Sequence, residues 1–205
     1  MKKTIIYIAM IAIAGAIFVG CKGKQVPQKE EWQAVMEEQR RDGWERVNIS
    51  RSHEALVRAH IEKASQPNTQ EIAVLINCNI VSVCASNART EAARVYAQRA
   101  SSFVRERSLG DENLNQANLR EEFAKFYTAY EVLVQAEVSN VLELSYDVIR
   151  RSTNEYRAFF TVNEERASAA RLRAMEQALR ETQAAQRYAR EISRFVQEGF
   201  QIHNQ

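Results

Sequence analysis

Leu142-Glu143-Leu144-Ser145-Tyr146-Asp147-Val148-Ile149-Arg150, then Arg151-Ser152-Thr153-Asn154, then Glu155-Tyr156-Arg157-Ala158-Phe159-Phe160-Thr161-Val162-Asn163, is the stretch that decides the fold. Leu142, Leu144, Tyr146 and Val148 alternate with Glu143, Ser145 and Asp147. After four turn-forming residues the alternation resumes, with Tyr156, Ala158, Phe160 and Val162 on one side. Side chains on a strand alternate faces with a period of two, so the pattern predicts a β-hairpin closed by a loop of roughly four residues.

Upstream, residues 71–85 are β-branched and dense and predict a third strand, buried on much of both faces, with Asn77 and Asn79 marking a break. The other segments repeat at helical spacing. Trp32, Val35 and Met36 form one stripe over Glu30–Arg41, stopped by Asp42-Gly43. Leu56, Val57 and Ile61 form a second, capped by Ser50 or Ser52 and ending near Pro67. Ala88, Ala92, Val95, Tyr96, Ala100, Phe103 and Val104 form a third, whose alanines predict close packing of helix on sheet.

Leu119, Phe123, Phe126, Tyr127, Tyr130 and Val134 line a helix over 113–137 and read as core more readily than as a partner groove. A single long helix is expected from Glu164 to Gly199, with Leu172, Met175, Leu179, Tyr188, Ile192, Phe195 and Val196 on one face. The expected architecture is α+β: a three-stranded antiparallel sheet with long helices on one side, preceded by two N-terminal helices. Its expected bounds are 30–69 for the helical segment and 70–200 for the α+β domain.

The amino terminus carries an address. Met1-Lys2-Lys3-Thr4 precedes an apolar run from Ile5 to Val19, followed by Gly20-Cys21. This is the layout of a secretory signal: basic start, short apolar centre, small-residue cleavage site. At about 1.5 Å per residue, an apolar run of about 15 residues covers about 22 Å of a roughly 30 Å hydrocarbon core, too short to span it comfortably. Phe18-Val19-Gly20-Cys21 resembles the lipobox of bacterial lipoproteins. That resemblance implies diacylglyceryl transfer to the Cys21 thiol and cleavage of residues 1–20. Residues 21–29 then form a polar tether, and the partner is a membrane, held through lipid on Cys21. By resemblance to the sorting of enteric lipoproteins, Lys22 rather than Asp after the cysteine implies the outer membrane, facing either the periplasm or the surface.

Of 205 residues, loss of the first 20 leaves 185, a size suited to one domain. The signal takes Lys2 and Lys3 with it, so 28 basic residues become 26, against 26 acidic. A neutral chain lacks the basic excess that nucleic acid or a polybasic membrane patch requires. Besides Cys21, the cysteines are Cys78 and Cys84. If both lie on one extended strand, six residues separate them by roughly 20 Å, and they pair only if the chain doubles back between them. The strand reading favours two small buried thiols.

The sequence from Val81 to Val104, a strand leading through small polar residues into an alanine-rich helix, and the later hairpin and helix carry a resemblance. They look like the small envelope lipoproteins related to the N-terminal domain of the flagellar assembly protein FlgT. With the lipobox, the chain is similar to envelope lipoproteins of Bacteroides-type bacteria. The resemblance implies an accessory or scaffolding role in the envelope and no reaction.

Nothing in the sequence assembles recognisable chemistry. His53 and His60 lie seven residues apart, about 10.5 Å along a helix, against the i, i+4 spacing of helical metal pairs, so no metal site is expected. Glu30-Glu31, Glu37-Glu38, Glu121-Glu122 and Glu164-Glu165 are adjacent pairs that diverge by about 100° on a helix. The latter two suit first helical turns. Walker, dinucleotide-binding, GxSxG and CxxC motifs are absent from the sequence, and Cys78 has no histidine beside it in sequence to serve as base. The expectation is a lipid-anchored, non-enzymatic envelope protein without cofactor, with an envelope protein or a second copy as partner. An envelope hydrolase with dispersed catalytic carboxylates is the alternative.

Overall fold

The computed structural model describes residues 31–47, 50–111 and 120–200. The signal peptide, Cys21 and the tether lie outside the described residues. The chain is α+β, with a four-stranded antiparallel sheet and, among the described residues, seven helices. The helices are α1 (Glu31–Arg41), α2 (His53–Ala64), α3 (Val81–Leu109), α4 (Arg120–Ser139), α5 (Glu164–Arg180), α6 (Gln183–Arg187) and α7 (Ala189–Glu198). The strands are β1 (Glu45–Arg46), β2 (Thr69–Asn77), β3 (Glu143–Arg150) and β4 (Glu155–Asn163), in spatial order β1-β3-β4-β2.

The hairpin forms as expected. β3 and β4 pair from Arg150↔Glu155 outward, and Asn154 closes the loop at φ 54°, a left-handed conformation that asparagine tolerates better than most residues. Tyr156, Ala158, Phe160 and Val162 all enter the main core.

The alternation along β3 does not run straight through. Leu144 stands opposite Phe160, but Tyr146 stands opposite Phe159, so Ser145 and Tyr146 together oppose one residue of β4. This β-bulge reverses the facing of the strand. Leu142 is in the main core, whereas Tyr146 and Val148 point to the opposite face, and Asp147 and Ile149 take the core side. The expected single stripe through Leu142, Leu144, Tyr146 and Val148 is therefore split by one inserted residue.

Helices cover both faces of the sheet, not one. On one face α3 packs against β2, α4 and α7, and α4 packs against α5. Ala88, Ala92, Ala93, Ala97 and Ala100 of α3 are all fully buried, which lets that helix approach its neighbours closely. On the other face Leu56 and Val57 of α2, with Trp44, meet Tyr146 and Val148. Trp32, Val35 and Met36 of α1 pack around them. The guanidinium groups of Arg157 and Arg150 lie 4.6 and 4.9 Å from the Trp44 ring. The sequence-based count of three strands missed β1, whose two residues pair with Val148 and Ile149 and are too short to show a period.

Two further corrections concern helix bounds. The segment 71–85 is not one strand: β2 ends at Asn77 and α3 begins at Val81. The last sheet bond runs from Cys78 N–H to Asn154 O at 2.7 Å, and Ile80 is the extended cap residue. The helix folds the chain back, and Cys84 comes to a Cα–Cα distance of 5.7 Å from Cys78, with which it forms a disulfide. The expectation of two free thiols fails because it rested on an extended chain through both cysteines. The single helix expected over 164–199 is also interrupted, by Thr182 and Tyr188 in non-helical conformations between α5, α6 and α7. That break removes the continuous face a coiled coil would need.

Candidate functional site

The described residues gather several ionisable groups in a cleft between α1, α2 and the sheet. It encloses about 210 Å³, the room of about seven waters. Gln39 from α1, His60 from α2, Glu71 from β2, Tyr146 from β3 and Phe159 from β4 line it, with Glu31, Glu38 and Arg157 also contributing. The bulge at Ser145 is what turns Tyr146 toward this side.

The geometry is aromatic at the base and polar above it. Tyr146 stacks on Phe159 with ring centroids 4.3 Å apart, and His60 meets Tyr146 edge-on at 5.1 Å. The His60 Nε2 lies 3.4 Å from a Glu71 carboxylate oxygen. Gln39 Nε2 donates to the Tyr146 hydroxyl at 3.1 Å, and burial holds that phenol well above its usual pKa. His60 Nδ1 and Gln39 Oε1 are buried without a hydrogen-bond partner among the described residues. This arrangement can orient an imidazole through a carboxylate and offer a neutral phenol as donor. Among the described residues, no nucleophilic serine, threonine or cysteine lines the cleft.

A second polar cluster lies near the end of α7. Arg171, 1% exposed, donates to Glu164 at 2.6 Å and to the Tyr96 hydroxyl. Glu164 also accepts from Gln70, which donates to Phe200 O at 2.8 Å as well. Burial raises the Tyr96 phenol, against the pull of Arg171. Gly199 turns here at φ 69°, and a Cβ there would lie 3.1 Å from both Arg171 and Glu164. An open groove of about 580 Å³ lies outside this cluster, lined by Gln70, Glu71, Glu164, Glu198 and Phe200 among others. The buried arginine donates to its carboxylate and to the tyrosine, with its Nε left without a partner among the described residues, and the cluster reads as a structural tie between β2, α3, α5 and the end of α7.

The residues singled out by sequence distribute as follows. Cys21 lies outside the described residues. His53 and His60 flank the Tyr146 ring, at 6.5 and 5.1 Å between centroids. Among the described residues no group of three His, Cys, Asp or Glu side chains is placed to hold a metal. Cys78 is in a disulfide, which removes it as a nucleophile. Glu121 and Glu122 stand in the first turn of α4 and Glu164 and Glu165 in that of α5, as expected. Phe123, Phe126 and Tyr130 are buried core. Sequence reasoning missed the pairing of His60 with Glu71 and Tyr146, because these residues come from separate elements and no local spacing joins them.

No family model matches the chain, and no curated protein and no solved structure matches it.

Proposed function

We propose that this protein is a lipid-anchored lipoprotein of the cell envelope, in the outer membrane, with a non-enzymatic accessory or binding role. The observation that carries the reading is the lipobox-like Phe18-Val19-Gly20-Cys21 at the end of a short apolar run. The disulfide supports it from another direction. Paired cysteines belong to oxidising, exported compartments. The chain has three cysteines, two are joined to each other, and the third stands at the lipobox. No helix among the described residues is long and apolar enough to cross a membrane, so a lipid on Cys21 supplies an anchor that those helices do not. The order β2, α3, α4, β3–β4, α5 contains a strand, an alanine-rich helix, a hairpin and a helix as the resemblance to FlgT-type domains implies, with α4 inserted before the hairpin.

The test is Cys21→Ala in cells fed a labelled fatty acid. The wild type should carry label and run as the processed form. The variant should be unlabelled and retain its signal peptide. Normal labelling of the variant would refute the reading.

One observation favours the hydrolase alternative: Glu71 lies 3.4 Å from His60, and Glu31 and Glu38 line the same cleft. Turnover of ester, amide or glycoside substrates that disappears in Glu71→Gln would establish it.

A further inference from the structure

We propose that the free edge of β2 is a two-fold interface at which a second copy of this chain adds its own β2. Among the described residues, β2 stands at the end of the sheet order and pairs on one side only, with β4. Its nine residues keep an unbroken register from Thr69↔Asn163 to Asn77↔Glu155. An edge of this length is usually blunted by lysine, proline or a bulge. The segment Thr-Gln-Glu-Ile-Ala-Val-Leu-Ile-Asn contains none of these.

The hydrogen-bond parity fixes which groups face outward. Cys78 N–H donates to Asn154 O at 2.7 Å and Glu164 N–H to Asn68 O at 2.8 Å, which bracket the ladder. In an antiparallel pair, bonded positions recur every second residue. The even residues of β2 therefore bond to β4, and Thr69, Glu71, Ala73, Leu75 and Asn77 turn their N–H and C=O to the open side. The Thr69 N–H is taken by Gln66 O at 3.0 Å. The N–H groups of Glu71, Ala73, Leu75 and Asn77 have no backbone partner among the described residues.

The side chains point to a copy of the same strand. Centred on Ala73, an antiparallel pair places Ala73 opposite Ala73, Glu71 opposite Leu75 of the second copy, and Thr69 opposite Asn77. The outward-facing residues then meet one another in the bonded positions, forming about six hydrogen bonds over Glu71–Leu75. No like charges face each other. Centring on Glu71 would oppose two carboxylates. Centring on Leu75 would carry Thr69 and Glu71 past the end of the neighbouring strand. The cover on that face reaches β2 at Glu71, which His60 of α2 meets at 3.4 Å, and leaves its later residues uncovered: the α1–α2 cluster sits on β3 and Phe159 of β4, and Ala73 and Leu75 are exposed, Leu75 by 50%. Ile80 and Val83, just past the end of β2, are 59% and 45% exposed. The result is a closed two-fold dimer with one continuous sheet.

The interface does not depend on the lipid anchor. Bonded antiparallel pairs have Cα atoms about 5.5 Å apart, within disulfide range. Ala73→Cys in the full chain, oxidised in cells, should give a product of twice the chain mass on a non-reducing gel. Val132→Cys, at a 63% exposed position on α4, should not. Ala73→Lys should convert the detergent-solubilised dimer to monomer in sedimentation, with its circular dichroism unchanged; Leu75→Lys is the second such variant. A monomeric wild type, together with no cross-linked product from Ala73→Cys, would overturn the proposal. So would a dimer indifferent to both lysines, or an Ala73→Cys product joined to a different protein.

Discussion

Reducing the disulfide between Cys78 and Cys84 should measurably weaken the fold. The bond ties the end of β2 to the first turn of α3, and Cys84 is fully buried. Cross-linking lowers the entropy of the unfolded chain. For a sequence separation of 6, the loop-closure relation gives about 7.4 cal/mol/K, or about 2.2 kcal/mol at 25 °C. For a chain of this size that is a fall of roughly 4–9 °C in Tm. The assay is urea unfolding of the wild type with and without reductant, alongside the Cys78→Ala/Cys84→Ala variant. Reductant should lower the wild-type midpoint and leave the variant unmoved. Thiol titration of the unfolded, unreduced protein should find neither Cys78 nor Cys84 reactive. Two reactive thiols there, or identical midpoints in both conditions, would refute the reasoning.

Two further outcomes follow from local geometry. Gly199→Ala should destabilise by about 1–2 kcal/mol in the same unfolding assay, because φ of 69° disfavours a Cβ that would also crowd Arg171 and Glu164; an unchanged midpoint would contradict the tie at the end of α7. Glu143 receives a hydrogen bond from Lys63 and lies beside Arg166, which together lower its pKa. A carboxyl lowered in the folded state contributes stability above its ordinary pKa and loses it as pH falls through the lowered value. Acid titration of stability should therefore be shallower in Lys63→Ala than in the wild type, and parallel curves would deny the contribution.

The parts of the fold legible in sequence were those with an undisturbed period. Tyr156, Ala158, Phe160 and Val162 kept their alternation and entered the core together. Trp32, Val35 and Met36 of α1, and Leu56, Val57 and Ile61 of α2, gathered in one cluster. Ser52 caps α2, accepting from Ala55 N–H at 3.1 Å. The failures came where tertiary context overrode a local preference. Val81 and Val83 are β-branched and read as strand, yet they begin α3. Leu179 and Tyr188 read as one helical face, yet buried Thr182 stands between them in an extended conformation. β1 owes its existence to its bonds with β3 and carries no hydrophobic signal of its own. The cleft was illegible for a related reason: His60, Glu71 and Tyr146 meet only because α2 docks on the far face of the sheet.

The inserted Ser145 makes β3 answer to two cores at once. Before it, Leu144 shares a face with Phe160; after it, Tyr146 and Val148 serve α1 and α2 while Asp147 and Ile149 serve α3 and its neighbours. Straightening the strand, so that Ser145 paired with Phe159 and every later residue slid by one, would exchange the two sets. The Tyr146 hydroxyl would enter a core built of alanine and aromatic rings, and the Asp147 carboxylate, which now accepts from Tyr156, would be thrust against Trp44 and Leu56. A single position thus keeps the reading frame of the whole sheet, and the layer formed by the first two helices exists only while that frame holds.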